Sequence, residues 1–157
     1  MPLTKRHKDQ VECEYDGLIY GLKDVPNKKQ YYDSTQAQAE SIMTGGKWNG
    51  ETARGNRTAR QVYNNSAQGV LKEEFFIQCY GYKRVSRKIK NGMYNDLICP
   101  ITGETIEVKT RRTVSDEIVD ELLLHLRKSS FCEADYMFLS EYDAKSQLYT
   151  FIGKFKI

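Results

Sequence analysis

The sequence predicts an α/β fold in which a helix, three mainly antiparallel strands, a second helix and further strands follow one another. Three observations predict it. Apolar residues recur at helical spacing over residues 68–80. Two strand-like segments flank a Pro-Ile-Thr-Gly turn at residues 100–103. A second helical segment then separates these strands from two more, as a crossover connection requires.

The length of 157 residues suffices for one domain that buries its own hydrophobic core. Helix and strand patterns become clearer from about residue 66, so we expect a core over residues 66–157 and an N-terminal extension over residues 1–65. In the extension, Asp16-Gly17 between alternating segments predicts a hairpin. Ser34 is a candidate N-cap for a helix that continues to about Met43.

The elements of the predicted core carry clear boundary signals. The first helix runs from Gln68 to Tyr80, and Gly81 ends it. A strand over 82–89 is followed by the hairpin turn Asn91-Gly92. The remaining elements are a strand with Asp96, a strand with Glu107, a helix from Asp116 to about Lys128 capped by Ser115, and strands over 136–139 and 148–152.

Asp96, Glu107 and Lys109 are the most informative residues of the chain. If Cys99 faces Glu104 across the turn, the register places Asp96 opposite Glu107. Side chains alternate along a strand, so Lys109 projects on the same side as Glu107. Facing carboxylates repel, and a hard divalent cation with oxygen ligands removes that repulsion. A solvated strand face is the alternative interpretation.

The opposite face of these two strands is expected to be buried. Its residues are Leu97, Cys99, Ile106 and Val108.

Basic residues cluster although the formal net charge is only +3, which argues against a histone-like polycation. The clusters are Lys83, Arg84, Arg87, Lys88 and Lys90; Arg111 and Arg112 after the acidic strand; and Arg54, Arg57 and Arg60. The last three share a face if their segment is helical. Basic segments beside paired acids suit a polyanion such as DNA, whereas lysines on an edge strand also protect against aggregation.

The four cysteines form no C-x-x-C pair and only two histidines accompany them, which argues against a zinc site and favours a reduced setting. With no signal peptide and no long apolar segment, we expect a protein of the cytoplasm, or of the host-cell cytoplasm if it is phage-encoded, without a membrane partner. His125 lies beside leucines and is expected to be either a packing residue or a residue on the face of a helix. His7 is expected to belong to a flexible basic tail.

The order of elements and the triad Asp96, Glu107 and Lys109 resemble the PD-(D/E)XK nuclease superfamily over roughly residues 66–157. That superfamily includes many restriction enzymes, Holliday-junction resolvases and some homing endonucleases. The resemblance implies a restriction-endonuclease-like core. The sequence departs from the family pattern at Asn95, where proline is common.

The resemblance also implies the roles of the residues. Asp96 and Glu107 would hold one or two Mg²⁺ ions, which Mn²⁺ can replace, with the backbone carbonyl of Val108 as a further ligand. Lys109 would position the attacking water or stabilise developing charge.

Family members often carry a further glutamate on the first helix. Glu73 and Glu74 are the candidates here, and adjacent helical residues point about 100° apart, so only one is expected to face the site. Glu73 is slightly favoured. Gln68 on the same helix is a weaker candidate for contact with phosphate or water, and Arg111 or Arg112 is expected to contact backbone phosphate.

Together these residues predict a Mg²⁺-dependent DNA endonuclease. Site-specific double-strand cleavage of restriction or homing type is favoured, because residues 1–65 contain structured-looking segments with arginines. One site per chain cuts one strand, so a homodimer or higher homo-oligomer is expected. The alternatives are a resolvase of branched DNA and a non-catalytic DNA-binding protein on a nuclease-like fold.

Overall fold

The computed structural model describes residues 5–44, 51–52, 55–56, 58–89 and 92–157. Its helices are α1 (Lys28–Thr44), α2 (Ala59–Tyr80) and α3 (Asp116–Lys128), with a short 3₁₀ helix at Leu22–Asp24. Its strands are β1 (Gln10–Val11), β2 (Ile19–Tyr20), β3 (Glu51–Thr52), β4 (Gly55–Asn56), β5 (Lys83–Ile89), β6 (Gly92–Ile98), β7 (Thr105–Arg111), β8 (Tyr136–Asp143) and β9 (Leu148–Lys156).

Seven strands form one open sheet in the order β1-β9-β8-β7-β6-β5, with β2 also paired to β9. The neighbouring strands are antiparallel except β7 and β8, which are parallel. The chain connects this parallel pair through α3, because parallel strands need a crossover rather than a tight turn. The protein is therefore mixed α/β with a mostly antiparallel sheet.

Helices cover both faces of this sheet. Along β8, Phe138 belongs to the buried cluster that contains Val70 and Phe76 of α2. Its neighbours Met137 and Leu139 belong to a second cluster with the buried leucines of α3. This alternation is the two-residue period of a strand, and it places α2 and α3 on opposite sides of the sheet.

Most predicted elements of the core are confirmed. Helix α3 has the predicted bounds, and its N-cap Ser115 accepts a hydrogen bond from the N–H of Ile118 at 3.3 Å. Strands β5 and β6 pair as the predicted hairpin. The predicted turn Asn91-Gly92 is misplaced by one residue, because Gly92 is the first residue of β6 and pairs with Ile89; residues 90 and 91 lie outside the described part. The turn after β6 places Gly103 at a φ of 74°, which favours glycine.

Two predicted helix starts are wrong. Helix α2 begins at Ala59 rather than Gln68, because Thr58 and Gln61 form a capping box at its true start. Helix α1 begins at Lys28 rather than after Ser34. At this earlier start, the Asn27 side chain accepts a hydrogen bond from the N–H of Gln30 at 3.0 Å.

The predicted N-terminal hairpin is also wrong. Strands β1 and β2 do not pair with each other; each pairs antiparallel with β9. The turn between them docks on the same strand, since the N–H of Gly17 donates to the carbonyl of Phe151 at 2.9 Å. The predicted boundary at residues 65/66 falls within α2, and the division into extension and core stays a prediction.

His7 is buried rather than part of a flexible tail. Its Nδ1 accepts a hydrogen bond from the N–H of Asp9 at 3.1 Å. Its Nε2 therefore carries the proton of the neutral ring and lies 2.8 Å from Oδ1 of Asp120 on α3. This contact ties the N-terminal segment to the helix that follows β7.

Among the described residues, no helix combines the length and apolar character needed to cross a bilayer.

We predict that Tyr20→Ala destabilises the protein by about 3–5 kcal/mol. The Tyr20 side chain is 0 % exposed, and its ring stacks on those of Phe75 and Tyr149 at centroid distances of 4.4 and 5.2 Å. The substitution also removes its hydroxyl from Ser140 Oγ, 2.8 Å away. Urea unfolding measures the change. Tyr32→Ala on α1 is the control, because Tyr32 is 49 % exposed; equal losses for both variants would contradict a core role for the N-terminal segment.

Candidate functional site

The register between β6 and β7 is the one that the sequence predicts. The N–H of Cys99 donates to the carbonyl of Glu104 at 2.9 Å across the turn. In the same register, Leu97 pairs with Ile106, and both are buried. The apolar face is therefore buried as expected at Leu97, Ile106 and Val108, whereas Cys99 is partly buried.

Asp96 and Glu107 occupy the next position of this register, one residue beyond the last recorded pair. Both carboxyl side chains are nearly inaccessible, with Asp96 5 % and Glu107 7 % exposed. Lys109 lies on the same side of β7, with its Nζ 3.5 Å from Oε1 of Glu107. Buried carboxylates are costly unless a proton or a nearby cation neutralises them.

Asp96 and Glu107 are the candidate oxygen ligands of a metal ion in this site. No group of three or more His, Cys, Asp or Glu side chains in the described ranges could hold a metal ion. Mg²⁺ is commonly bound by one or two carboxylates and completes its shell with water and substrate phosphate. Oε2 of Glu107 is buried and accepts no hydrogen bond from the described residues, so the two acids fit such an ion.

Val108 separates Glu107 from Lys109, and its side chain points to the opposite, buried face. The role of its backbone carbonyl as a metal ligand stays a prediction.

The two glutamates of α2 have different environments. Glu74 is fully buried and serves a structural network: its carboxylate accepts hydrogen bonds from Gln30 at 2.9 Å and from Gln78 at 3.0 Å. Arg84 of β5 joins both acids, donating from Nη2 to Glu74 at 2.7 Å and from Nε to Glu73 at 3.3 Å. Glu73 has no further hydrogen bond of this kind among the described residues.

The pKa of Glu73 is affected by burial and by the charge of Glu107. Burial raises its pKa to about 7, against the opposing charges of Arg84 and Lys72, and the negative charge of Glu107 raises it further. A carboxyl group with a pKa near neutrality can carry or release a proton under physiological conditions. The assignment of Glu73 rather than Glu74 to the site stays a prediction.

A cleft of about 620 Å³ opens beside Lys109, between α2, the end of β7 and α3. Gln68 and Lys72 line it from α2, Lys109 and Arg111 from β7, and Glu121 and His125 from α3. Residues of α2 and α3, which cover opposite faces of the sheet, thus line one cleft beside the end of β7. His125 is exposed on α3, which agrees with the expected helix-face position.

Lys72 is the residue that sequence reasoning missed. Burial lowers its pKa to about 8, and the positive charges of Lys109 and Arg111 lower it further, while Glu73 and Glu107 oppose this shift. A lysine beside a glutamate resembles any solvated helix edge in sequence. The four-residue spacing from Gln68, which puts the two side chains on one helix face, was the available signal.

The predicted basic residues are spread over several elements. Arg60 is exposed in the first turn of α2. Arg54 and Arg57 lie outside the described residues, and residues 55–56 form β4, so the three arginines do not share one continuous helix. Arg84 is engaged with Glu73 and Glu74 rather than directed to solvent.

The other basic candidates lie on β5, at the end of β7 and directly after it. Lys83 is exposed on β5, and Arg87 and Lys88 belong to the same strand. Arg111 lines the cleft and donates from Nη1 to the carbonyl of Thr110 at 2.7 Å. Arg112 is exposed beside it. Contact with DNA stays a prediction for all of them.

Comparison of the chain with protein-family models, with curated proteins and with solved structures finds no match.

We predict that Glu73 makes metal-free protein less stable as the pH rises. Its pKa increases from 4.5 to about 7 on folding, so the folded state holds this proton more tightly. Stability is then fully present below pH 4.5 and is lost as the pH rises to about 7. The loss is on the order of 3 kcal/mol at most.

Urea unfolding in EDTA between about pH 4 and about pH 8 measures this dependence, because that range includes the plateau below the transition and the end of the loss above it. Glu73→Gln should flatten the pH profile, and the same substitution at the exposed Glu121 should not. An unchanged slope in the Glu73 variant contradicts the assignment.

Proposed function

We propose that this protein is a Mg²⁺-dependent DNA endonuclease that hydrolyses phosphodiester bonds. One observation carries the proposal: Asp96 and Glu107 are both buried at the position that follows the pair Leu97–Ile106 in the β6–β7 register, with Lys109 Nζ 3.5 Å from Glu107 Oε1. The order of helix, three antiparallel strands, helix and parallel strand supports a restriction-endonuclease-like core around them.

Each residue of the candidate site has a separate role in the proposed hydrolysis of a phosphodiester bond. Asp96 and Glu107 provide oxygen ligands for Mg²⁺ or Mn²⁺, which when bound polarises the phosphate and lowers the pKa of water. Lys109 holds a positive charge beside Glu107 and stabilises the negative charge that develops on the phosphate. Glu73, with a pKa of about 7, is suited to accept a proton from the attacking water.

The charge around the site supports a polyanionic substrate. Lys72, Lys109 and Arg111 line one cleft, and Arg112 is exposed beside it. Such a group of cations favours a phosphate backbone irrespective of base sequence. We further propose that a homodimer makes site-specific double-strand cuts, since a single site hydrolyses one strand.

The proposal is tested by incubating the protein with supercoiled plasmid, linear DNA and a four-way junction, each with Mg²⁺ or with EDTA. Cleavage that requires the metal supports an endonuclease. Discrete linear fragments support site specificity, whereas cleavage confined to the junction supports a resolvase. DNA binding without cleavage in any divalent metal would indicate a non-catalytic binding protein.

We predict that Lys109→Ala lowers the cleavage rate by about 10²–10³-fold while DNA binding persists. The reason is loss of the charge next to Glu107, which is needed most when the phosphate becomes more negative. Lys156→Ala is the control: Lys156 is exposed and pairs with Tyr136, at the opposite end of the strands from Lys109. Cleavage by the Lys109 variant at the wild-type rate would reject the role given to this lysine.

A further inference from the structure

One face of α2 forms a wall of the cleft beside Lys109. Asn65, Gln68, Gly69 and Lys72 all line this cleft. Their spacing of three and four residues places them on one side of the helix, one turn after another. Along about two helical turns, this wall presents the side-chain amides of Asn65 and Gln68, a position without a side chain at Gly69, and the ammonium group of Lys72.

Gly69 is the position on this face of α2 that has no side chain. It lies in the interior of α2, where glycine is less favourable than alanine. A Cβ built at Gly69 would meet no described atom within 4 Å, so packing within the chain does not require glycine there. The missing side chain leaves space in the cleft for another molecule to approach the helix closely.

The charges of the cleft indicate which kind of molecule fits. Lys72 forms no ion pair with the described residues, although Lys109 and Arg111 line the same cleft. Like charges in one partly buried cleft repel, and an anion among them removes that repulsion. Glu121 on the α3 side is acidic, so an anion is favoured on the side of α2 and β7.

We propose that this face of α2 binds the sugar–phosphate backbone of DNA. Lys72 and Gln68 contact a phosphate group next to the one at Lys109, and Gly69 lets the backbone lie against the helix. The inference rests on the proposed endonuclease function, because it assigns the contact that holds the substrate strand beside the acids.

The first test fills the gap. In Gly69→Leu, a good helix former replaces glycine and points into open space, so we expect Tm to rise by about 2–4 °C. The leucine side chain occupies the place of the DNA backbone, so the Kd for a labelled duplex in EDTA should increase at least tenfold. Asn64→Leu is the matched control, because Asn64 is exposed on the same helix and does not line the cleft.

The second test removes the charge. Each phosphate contact contributes about 0.9 to the slope of log Kd against log salt concentration. Lys72→Gln should lower that slope by about this amount, and Lys72→Arg should retain it. Lys156→Gln, at the opposite end of the strands, should leave the slope unchanged. Fluorescence anisotropy over a salt series measures all four proteins, and thermal unfolding verifies that each is folded.

The outcomes separate this inference from the proposed function. If wild-type protein cuts DNA with Mg²⁺ but Gly69→Leu and Lys72→Gln bind as wild type does, the α2 surface is wrong and the endonuclease stands. If wild-type protein neither binds nor cuts DNA, both proposals fail. Weaker binding by the two variants, with both controls unchanged, supports the surface.

Discussion

The register between β6 and β7 is the constraint on which the candidate site depends. The hydrogen bond from Cys99 to Glu104 closes the turn and determines which residues face each other. A slip of one residue would exchange the two faces of the strand, because side chains alternate with a period of two. Ile106 would then leave the apolar cluster that packs against α2, and the carboxylate of Glu107 would take its place. The apolar face therefore holds the acids in place.

The buried acids are balanced by cations from three elements. Arg84 reaches Glu73 from β5, Lys109 lies beside Glu107 on β7, and Lys72 approaches from α2. Burial of this many charges is unfavourable compared with an apolar core of the same size. Such a cluster is typical of a site at which charge is needed for function, and a protein retains it at some loss of stability.

The N-terminal segment contributes to the rigidity of the site. Tyr20 packs against Phe75 of α2, and Gln30 of α1 donates to Glu74 of the same helix. These contacts fix the C-terminal half of α2 against the N-terminal segment. Lys72 lies in the same half of the helix, so less entropy is lost when it is ordered around a ligand.

Local sequence signals were sufficient for several elements of this protein. Ser115 marked the start of α3, and Gly103 and the hairpin residues marked the turns, because caps and turns depend on residues only a few positions apart. The alternation around Glu107 likewise revealed the acidic pair. The docking of β1 and β2 on β9, and the approach of Lys72 to Lys109, could be known only from the folded chain. Those contacts join residues far apart in sequence, and their choice depends on which surfaces packing brings together rather than on any neighbouring residue.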